Sequence, residues 1–362
     1  MRIRTYSKLI VLTMTLMIVL SSVQGTVCAQ AGELDPLVVM YDASHNPQFS
    51  VDDEGFQLML DMVNESTRYI VRVNEEPLNT TILNGVDVLI IADPDDTAAF
   101  ENEEILAIDQ MMTNGSSLLL FGNPVIDQNN TEYWNQITFR DIGDNKEVNG
   151  ILDQLNITGV RFSLINRTQN IWSDSMFDYD RSLNATSMPY VLQLDPSTWD
   201  ASHPIFKDIN SLVTMTASLK PSNGASVIAR SYDTTFAQYR AGPNSFANLT
   251  YPNMTLAEFA ENPDSYSSIN GTLPAWMSAF EYDGSRVIIS GSAIMFTGKT
   301  LPYDDAEEQW FYQADNSRLF MNMLSWLTDG FVDSPDAIVP MALLSSVILV
   351  VGVAIYLFKK TK

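Results

Sequence analysis

The sequence predicts an α/β fold: a parallel sheet flanked by helices, carrying a large insertion or second lobe, and followed by one C-terminal transmembrane helix. Two patterns predict the α/β part. Short, continuously apolar runs resemble strands buried on both faces of a parallel sheet, and the segments between them place apolar residues at helical spacing. The third observation is the chain's end, where residues 337–358 are 22 residues without a charge and Lys359, Lys360 and Lys362 follow. A hydrocarbon core about 30 Å thick needs roughly 20 apolar residues of helix, and basic flanks mark the cytoplasmic side.

At the start of the chain, Arg2, Arg4 and Lys8 precede the apolar run of residues 9–20, and small residues stand at Val27-Cys28-Ala29. This is the pattern of a secretory signal over residues 1–29. Residues 30–327 then form the ectodomain, with a regular core at 37–122 and 285–327. Leu37-Val-Val-Met-Tyr41 reads as the first strand and runs into a polar turn at 42–47. Residues 51–63 place Phe56, Met59, Leu60 and Val63 on one helical face, with Asp52 and Asp53 in the first turn, where carboxylates favour the positive end of the helix dipole.

Strands follow at 69–73 and 86–92, the latter being the strongest strand signal in the chain. A helix capped by Asn102 and running to Met112 would bury Ile105, Ile108, Met111 and Met112, and Asn114-Gly115 supplies its left-handed stop. Residues 117–121 form the fourth strand. From about 125 to 272 the pattern loosens into Asn-rich stretches with brief apolar runs at 160–165 and 226–229; this is the expected insertion or second lobe. Regularity returns with a strand at 285–291 and a helix capped by Ser317 that buries Phe320, Met323, Leu324 and Leu327. Residues 328–336 form a short tether, 337–358 the membrane span and 359–362 a cytoplasmic tail.

Between residues 30 and 336 lie all 44 acidic residues and 14 of the 20 basic ones, a formal charge of −30. Such a surface repels nucleic acid and anionic headgroups. The only cysteine, Cys28, falls in the signal, so the mature chain is expected to lack disulfides, thiolate nucleophiles and cysteine metal ligands. An exported domain of this size without disulfides points to a microbial, archaeal-type surface. Ten Asn-X-Ser/Thr sequons, at Asn64, Asn79, Asn114, Asn129, Asn156, Asn166, Asn184, Asn248, Asn253 and Asn270, all fall in the ectodomain, as in a glycoprotein.

Ligands of doubly wound sheets sit beyond the carboxyl ends of strands. Three loops leave those ends, at 42–47, 93–96 and 122–124, and they define a candidate ligand or partner crevice of Asp42, Ser44, His45, Asn46, Asp93, Asp95, Asp96 and Asn123. Asp42, Ser44 and His45 hold the residue types of a hydrolytic cluster, yet they are contiguous, and the same residues build ordinary turns. Asp93-Pro-Asp-Asp96 reads as a helix entry or an oxygen site for a hard cation. His203 is the second histidine, but no spaced metal-ligand set accompanies the pair. The strand exits at Gly122-Asn-Pro-Val125 and Ser290-Gly-Ser-Ala293 lack the nucleophile-elbow pattern, and no phosphate-binding glycine loop is present. The residues therefore name no catalytic group, metal or cofactor.

The strand and turn at Asp42-Ala-Ser-His45, the strand running to Asp93, the stretch from Phe100-Glu-Asn-Glu-Glu-Ile105 to Asn114-Gly-Ser-Ser-Leu-Leu-Leu-Phe121, and residues 285–298 before a terminal helix together resemble the class I glutamine-amidotransferase-like fold. The chain looks most like its non-catalytic GIFT (DUF4350-like) branch, which includes intraflagellar-transport proteins and the Wbp1-type subunit of oligosaccharyltransferase. The resemblance implies a flavodoxin-like sheet that has lost the amidotransferase cysteine and serves assembly. Arg286-Val-Ile-Ile-Ser-Gly-Ser-Ala-Ile-Met-Phe296 is similar to the strand and turn that close that domain. Wbp1-type subunits carry further β-rich domains before the membrane, for which this chain has no room.

The expected protein is a non-enzymatic, single-pass type I protein of a cell membrane or ER-like membrane. Its extracytoplasmic domain would bind protein partners or glycans, one form of this being an accessory to a membrane glycosyltransferase such as oligosaccharyltransferase. Two alternatives remain open: an exported hydrolase or metal-dependent enzyme using His45, His203 and nearby carboxylates, and an auxiliary subunit of a membrane transporter.

Overall fold

The computed structural model describes residues 35–124, 145–167, 170–184, 188–221, 226–239, 265–267, 273–303 and 306–329. The expected signal, span and tail, and the expected tether beyond Asp329, lie outside these residues; among the described residues no helix is long and apolar enough to cross a membrane.

Nine strands make the main sheet: β1 (Leu37–Asp42), β2 (Tyr69–Asn74), β3 (Val88–Ala92), β4 (Ser117–Phe121), β5 (Val160–Phe162), β6 (Leu219–Pro221), β7 (Val227–Arg230), β8 (Ala275–Tyr282) and β9 (Ser285–Ser290). Their order is β2-β1-β3-β4-β9-β8-β6-β5, with β7 also on β8. The first five in that order are parallel, which is the flavodoxin-like order. The rest are antiparallel. The change of direction is made by a two-residue hairpin, in which Asp283 and Gly284 take φ of 50° and 87°, the left-handed geometry of a type I′ turn.

Alternation along the parallel strands builds two cores. Val39, Tyr41, Val88, Ile90, Leu119, Phe121 and Ile288 face α1 (Gln57–Glu65) and the last helix; Val38, Met40, Leu89, Ile91, Leu118, Leu120 and Ile289 face α2 (Asn102–Thr113) and α3 (Asn145–Gln154). The last helix, α4 (Asn316–Thr328), packs Leu319, Phe320, Met323, Leu324 and Leu327 into the first core. Burying such a side chain contributes about 1.5–3 kcal/mol, so these strands are held from both sides.

Helix starts differ from the sequence-based expectation, each for a local reason. Asp52 does not lie in the first turn of α1; its Oδ1 accepts the N–H groups of Glu54 (3.1 Å) and Gly55 (2.7 Å), closing a turn that delays the helix to Gln57. The N-cap of α2 is Glu101 rather than Asn102, because Glu101 and Glu104 form a reciprocal capping box. Residues 93–96 are accordingly no helix entry; Asp95 turns the chain by accepting Thr97 N–H at 2.7 Å and Thr97 Oγ1–H at 2.6 Å. The N-cap of α4 is Asp315, and Ser317 lies inside the helix. Gly115, at φ 98°, supplies the expected stop after α2.

The region expected as insertion or second lobe divides. Strands β5, β6 and β7 extend the main sheet, while a four-stranded sheet (Leu164–Arg167, Asn170–Phe177, Phe236–Tyr239, Ser265–Ser267) and a three-stranded one (Ser182–Asn184, Met188–Leu194, Leu212–Thr214) pack as further layers. The attachment is a close backbone approach just after β9. Ala217 N–H donates to the Gly291 carbonyl at 2.9 Å, and a Cβ on Gly291 would lie 2.2 Å from the Ala217 oxygen and 2.4 Å from Thr216 Oγ1. Gly291→Ala should therefore destabilise the protein by about 1–3 kcal/mol, seen as a lower urea midpoint at unchanged slope. An unchanged midpoint would mean that residues 216–218 do not dock there.

Candidate functional site

The connection from β1 runs over one sheet face through α1 to β2, and that from β3 over the other face through α2 to β4. Their carboxyl ends therefore flank the topological switch point, where open α/β sheets hold ligands. The eight candidate residues gather there in two groups.

The first group surrounds His45, which is buried at 5% relative exposure. Its Nδ1 lies 2.6 Å from Asp42 Oδ2 and its Nε2 lies 3.3 Å from Glu104 Oε2, so both nitrogens face carboxylates. The ring stacks on Phe100 with centroids 3.6 Å apart. Ser44 Oγ donates to Asp42 Oδ1 at 2.6 Å and lies 3.0 Å from His45 Nδ1. Ser44 and Asp42 thus crowd the same imidazole nitrogen, whereas a hydrolytic triad places nucleophile and orienting acid on opposite ones. Glu104 is fully engaged as well. Its Oε1 accepts Leu78 N–H at 2.8 Å, and its Oε2 also accepts Glu101 N–H at 2.9 Å.

The second group surrounds Asn123, which has no exposed surface. Its Nδ2 donates to Asp93 Oδ2 at 2.7 Å, and its Oδ1 accepts the backbone N–H groups of Ala293 (2.9 Å) and Ile294 (3.0 Å). Its backbone is clamped by Asn145, whose Oδ1 accepts Asn123 N–H at 3.0 Å while its Nδ2 donates to Asn123 O at 2.8 Å and to Ser173 Oγ at 2.5 Å. Asp93, 1% exposed, holds a left-handed φ of 44°, a conformation Asp tolerates but one that needs outside support. That support comes from Asn123, from Phe121 O accepting Asp93 N–H at 2.9 Å, and from Gln48 N–H donating to Asp93 O at 3.1 Å. Asp95 N–H donates to His45 O at 3.0 Å and joins the two groups. Asn46 (φ 44°) and Asp96 are exposed at the rim, and Asp95 is half-buried.

His203 is not brought to this site. It begins the short turn Pro204–Phe206, where its Nδ1 accepts Ile205 N–H at 3.3 Å, and its ring sits 5.3 Å from that of Trp326. Burial holds His203 below its usual pKa against the favourable charge of Asp200, with Arg286 adding to the lowering from the start of strand β9, the opposite end of the parallel strands from His45. Among the described residues no group of three or more His, Cys, Asp or Glu is arranged to hold a metal ion. Of the sequon asparagines, Asn64, Asn79, Asn114, Asn156 and Asn184 are exposed; the side chains of Asn129, Asn166, Asn248, Asn253 and Asn270 lie outside the described residues.

Several residues of this site were not singled out from the sequence. Glu104 carried only a partial signal, its spacing from Glu101 before an apolar run being that of a capping box whose usual first residue is Ser or Thr. Asn145 and Ser173 carried none. Asp174 next to them is buried, and its carboxyl is pushed up to about 6 by burial, against the hydrogen bonds from Ser218 Oγ (2.5 Å) and Ser218 N (2.7 Å).

The sequence model of a family described as "ABC-type uncharacterized transport system" matches residues 26–323. The chain belongs to this family. No curated protein matches it. Solved structures similar to this family member include the mmIFT52 N-terminal domain, at 13% identity over 80% of this chain and 97% of that one (TM-score 0.49). A cytoplasmic protein of Salmonella typhimurium is similar at 11% over 80% and 98% (TM-score 0.40), and a ThuA-like protein of Bacteroides uniformis at 11% over 81% and 91% (TM-score 0.37). The likeness to the Wbp1-type oligosaccharyltransferase subunit gains no support from these matches.

Two outcomes follow from the geometry. Asn123→Ala would remove an amide donor from the buried Asp93 carboxylate and the shared side-chain acceptor of the Ala293 and Ile294 N–H groups, and it should cost about 3 kcal/mol or more in a chemical-denaturation measurement. For His45, burial disfavours the imidazolium, but the hydrogen bond and charge of Asp42 and then the charge of Glu104 outweigh it, so its pKa is raised. A pKa raised on folding contributes stability fully below the unfolded value of about 6.5, and that contribution is lost as pH rises through the folded value. The melting-temperature lead of wild type over His45→Asn should accordingly be largest at acid pH and shrink above about 6.5; a constant lead would show that the ring is held uncharged.

Proposed function

We propose that this chain is a non-catalytic, extracytoplasmic subunit of an ABC-type transport system, held by the single span at residues 337–358, and that it acts by docking protein partners. The observation that carries this reading is the state of the switch point. Where an enzyme of this architecture would hold a reactive side chain, Asn123 spends its donor on Asp93 and its acceptor on Ala293 and Ile294, and His45 is locked between Asp42 and Glu104. Side chains so engaged brace loops. A Cβ at Gly122 would strike Asn145 Oδ1 at 2.2 Å and the Phe162 ring at 2.6 Å, so the strand exit has no room for a nucleophile there. Family membership supports the transport setting, and the acidic surface supports partners other than nucleic acid.

The test is purification of the tagged full-length chain from native membranes in mild detergent. The expected result is stoichiometric recovery of ATP-binding and membrane-spanning transporter subunits, with the ectodomain digested when protease is added to intact cells. Recovery of oligosaccharyltransferase subunits instead would return the chain to the Wbp1-type reading. A monodisperse chain without partners would overturn assembly as its role.

A further inference from the structure

The sequons are the one strong sequence signal that the proposed role does not use. With 26 asparagines among 362 residues and about one residue in six Ser or Thr, chance gives about four sequons, yet the chain has ten. The structure separates them by whether the asparagine and the hydroxyl residue two positions on are both exposed.

Asn79 and Asn156 meet that condition. Asn79 lies in the exposed loop after β2; its Oδ1 accepts Thr81 N–H at 2.9 Å and Ile82 N–H at 3.0 Å, and its Nδ2 makes one long, exposed hydrogen bond, to Pro77 O at 3.3 Å. This turn fixes the amide beside Thr81, which is itself exposed. Asn156 follows α3 at φ 55°, where Ile157 N–H bonds back to Leu152 O at 2.9 Å. That left-handed C-terminal cap throws its side chain outward, and Thr158 is exposed beside it.

Asn64 and Asn114 are exposed but fail on the second residue. Asn64 is inside helix α1, where side chains two apart point to different sides of the helix. Ser116, the hydroxyl partner of Asn114, is 9% exposed and gives its proton to Val86 O at 2.6 Å.

We infer that Asn79 and Asn156 carry N-linked glycans added to the folded ectodomain, and that Asn64 and Asn114 do not. The donor is a sugar joined through phosphate to a lipid. The asparagine amide nitrogen forms a bond to the sugar's C1, the C1–oxygen bond to phosphate breaks, the lipid phosphate leaves with the bonding pair, and the amide proton passes to a base of the transferase. The inference rests on the extracytoplasmic placement proposed above.

Peptide-level mass spectrometry of the full-length protein from its native membrane tests it. Peptides holding Asn79 and Asn156 should carry oligosaccharide mass, and those holding Asn64 and Asn114 should not. Thr81→Ala and Thr158→Ala should each remove one glycan; both keep the asparagines and their turns, so loss of folding does not confound the result. Unmodified Asn79 and Asn156 would overturn the inference, and would leave the placement standing if external protease still digests the ectodomain. Glycans on Asn64 and Asn114 as well would overturn transfer to the folded chain.

Discussion

One buried amide holds the carboxyl ends of the central strands together. Asn123 follows β4, bonds Asp93 after β3, and takes two N–H groups from the turn after β9. Parallel strands leave their loops without the mutual ladder that closes a hairpin, so loop positions must come from side chains. Asparagine suits the task because it offers donors and an acceptor on one rigid plane. Its neutral donor also keeps the Asp93 carboxylate paired without importing a second charge. The unusual backbone of Asp93 follows from this clamp, since a left-handed residue persists only where its surroundings over-determine it.

The same amide couples the two halves of the fold. Asn145 grips the Asn123 backbone and reaches Ser173, so α3 and the four-stranded layer are tied to the end of β4. Around that junction Ser163, Ser173, Asp174, Ser175, Thr216, Ser218, Ser290 and Ser292 are all fully buried. Small hydroxyl side chains let backbone segments approach closely while keeping their polar atoms satisfied, as the Gly291 contact with Ala217 requires. The junction is therefore polar and specific rather than greasy. The elevated Asp174 carboxyl shows the cost of sealing a charge in it.

The parallel half was legible in the sequence because its elements are local: the central strands β1, β3 and β4 are nearly unbroken apolar runs, and each helix has one apolar face. Residues 117–121, 285–290 and the α4 face fall where periodicity places them. Helix starts were less legible: Asp52, Asn102 and Ser317 all suit a cap, yet Asp52 closes a turn before α1, the Glu101–Glu104 capping box starts α2, and α4 starts after Asp315, whose Oδ2 accepts the N–H groups of Asn210 and Ser211. The antiparallel half was illegible for a different reason. Strands β5 and β6 are three residues long and pair across 57 positions, Phe162 with Leu219, so their register is set by tertiary contact and leaves no period to read. In the site, the loops were predictable from strand ends, but the partners were not. Glu104 reaches His45 from 59 positions away and Asn145 reaches Asn123 from 22.

These constraints place the two ends of the described domain opposite its crevice. Leu37 opens β1 and bonds Arg68 O before β2, while Arg68 and Tyr69 both reach Thr328 at the end of α4. Both ends of the described domain therefore leave from the amino edge of the parallel strands. The switch point lies a full strand length away, about 17–20 Å for five or six residues. Asp329 therefore lies at the far end of the described domain from the 42–47, 93–96 and 122–124 loops. The clamp fixes the three loops against one another and leaves a rigid face there, and under the proposed docking role such a face would lose less entropy on meeting a partner than a mobile one.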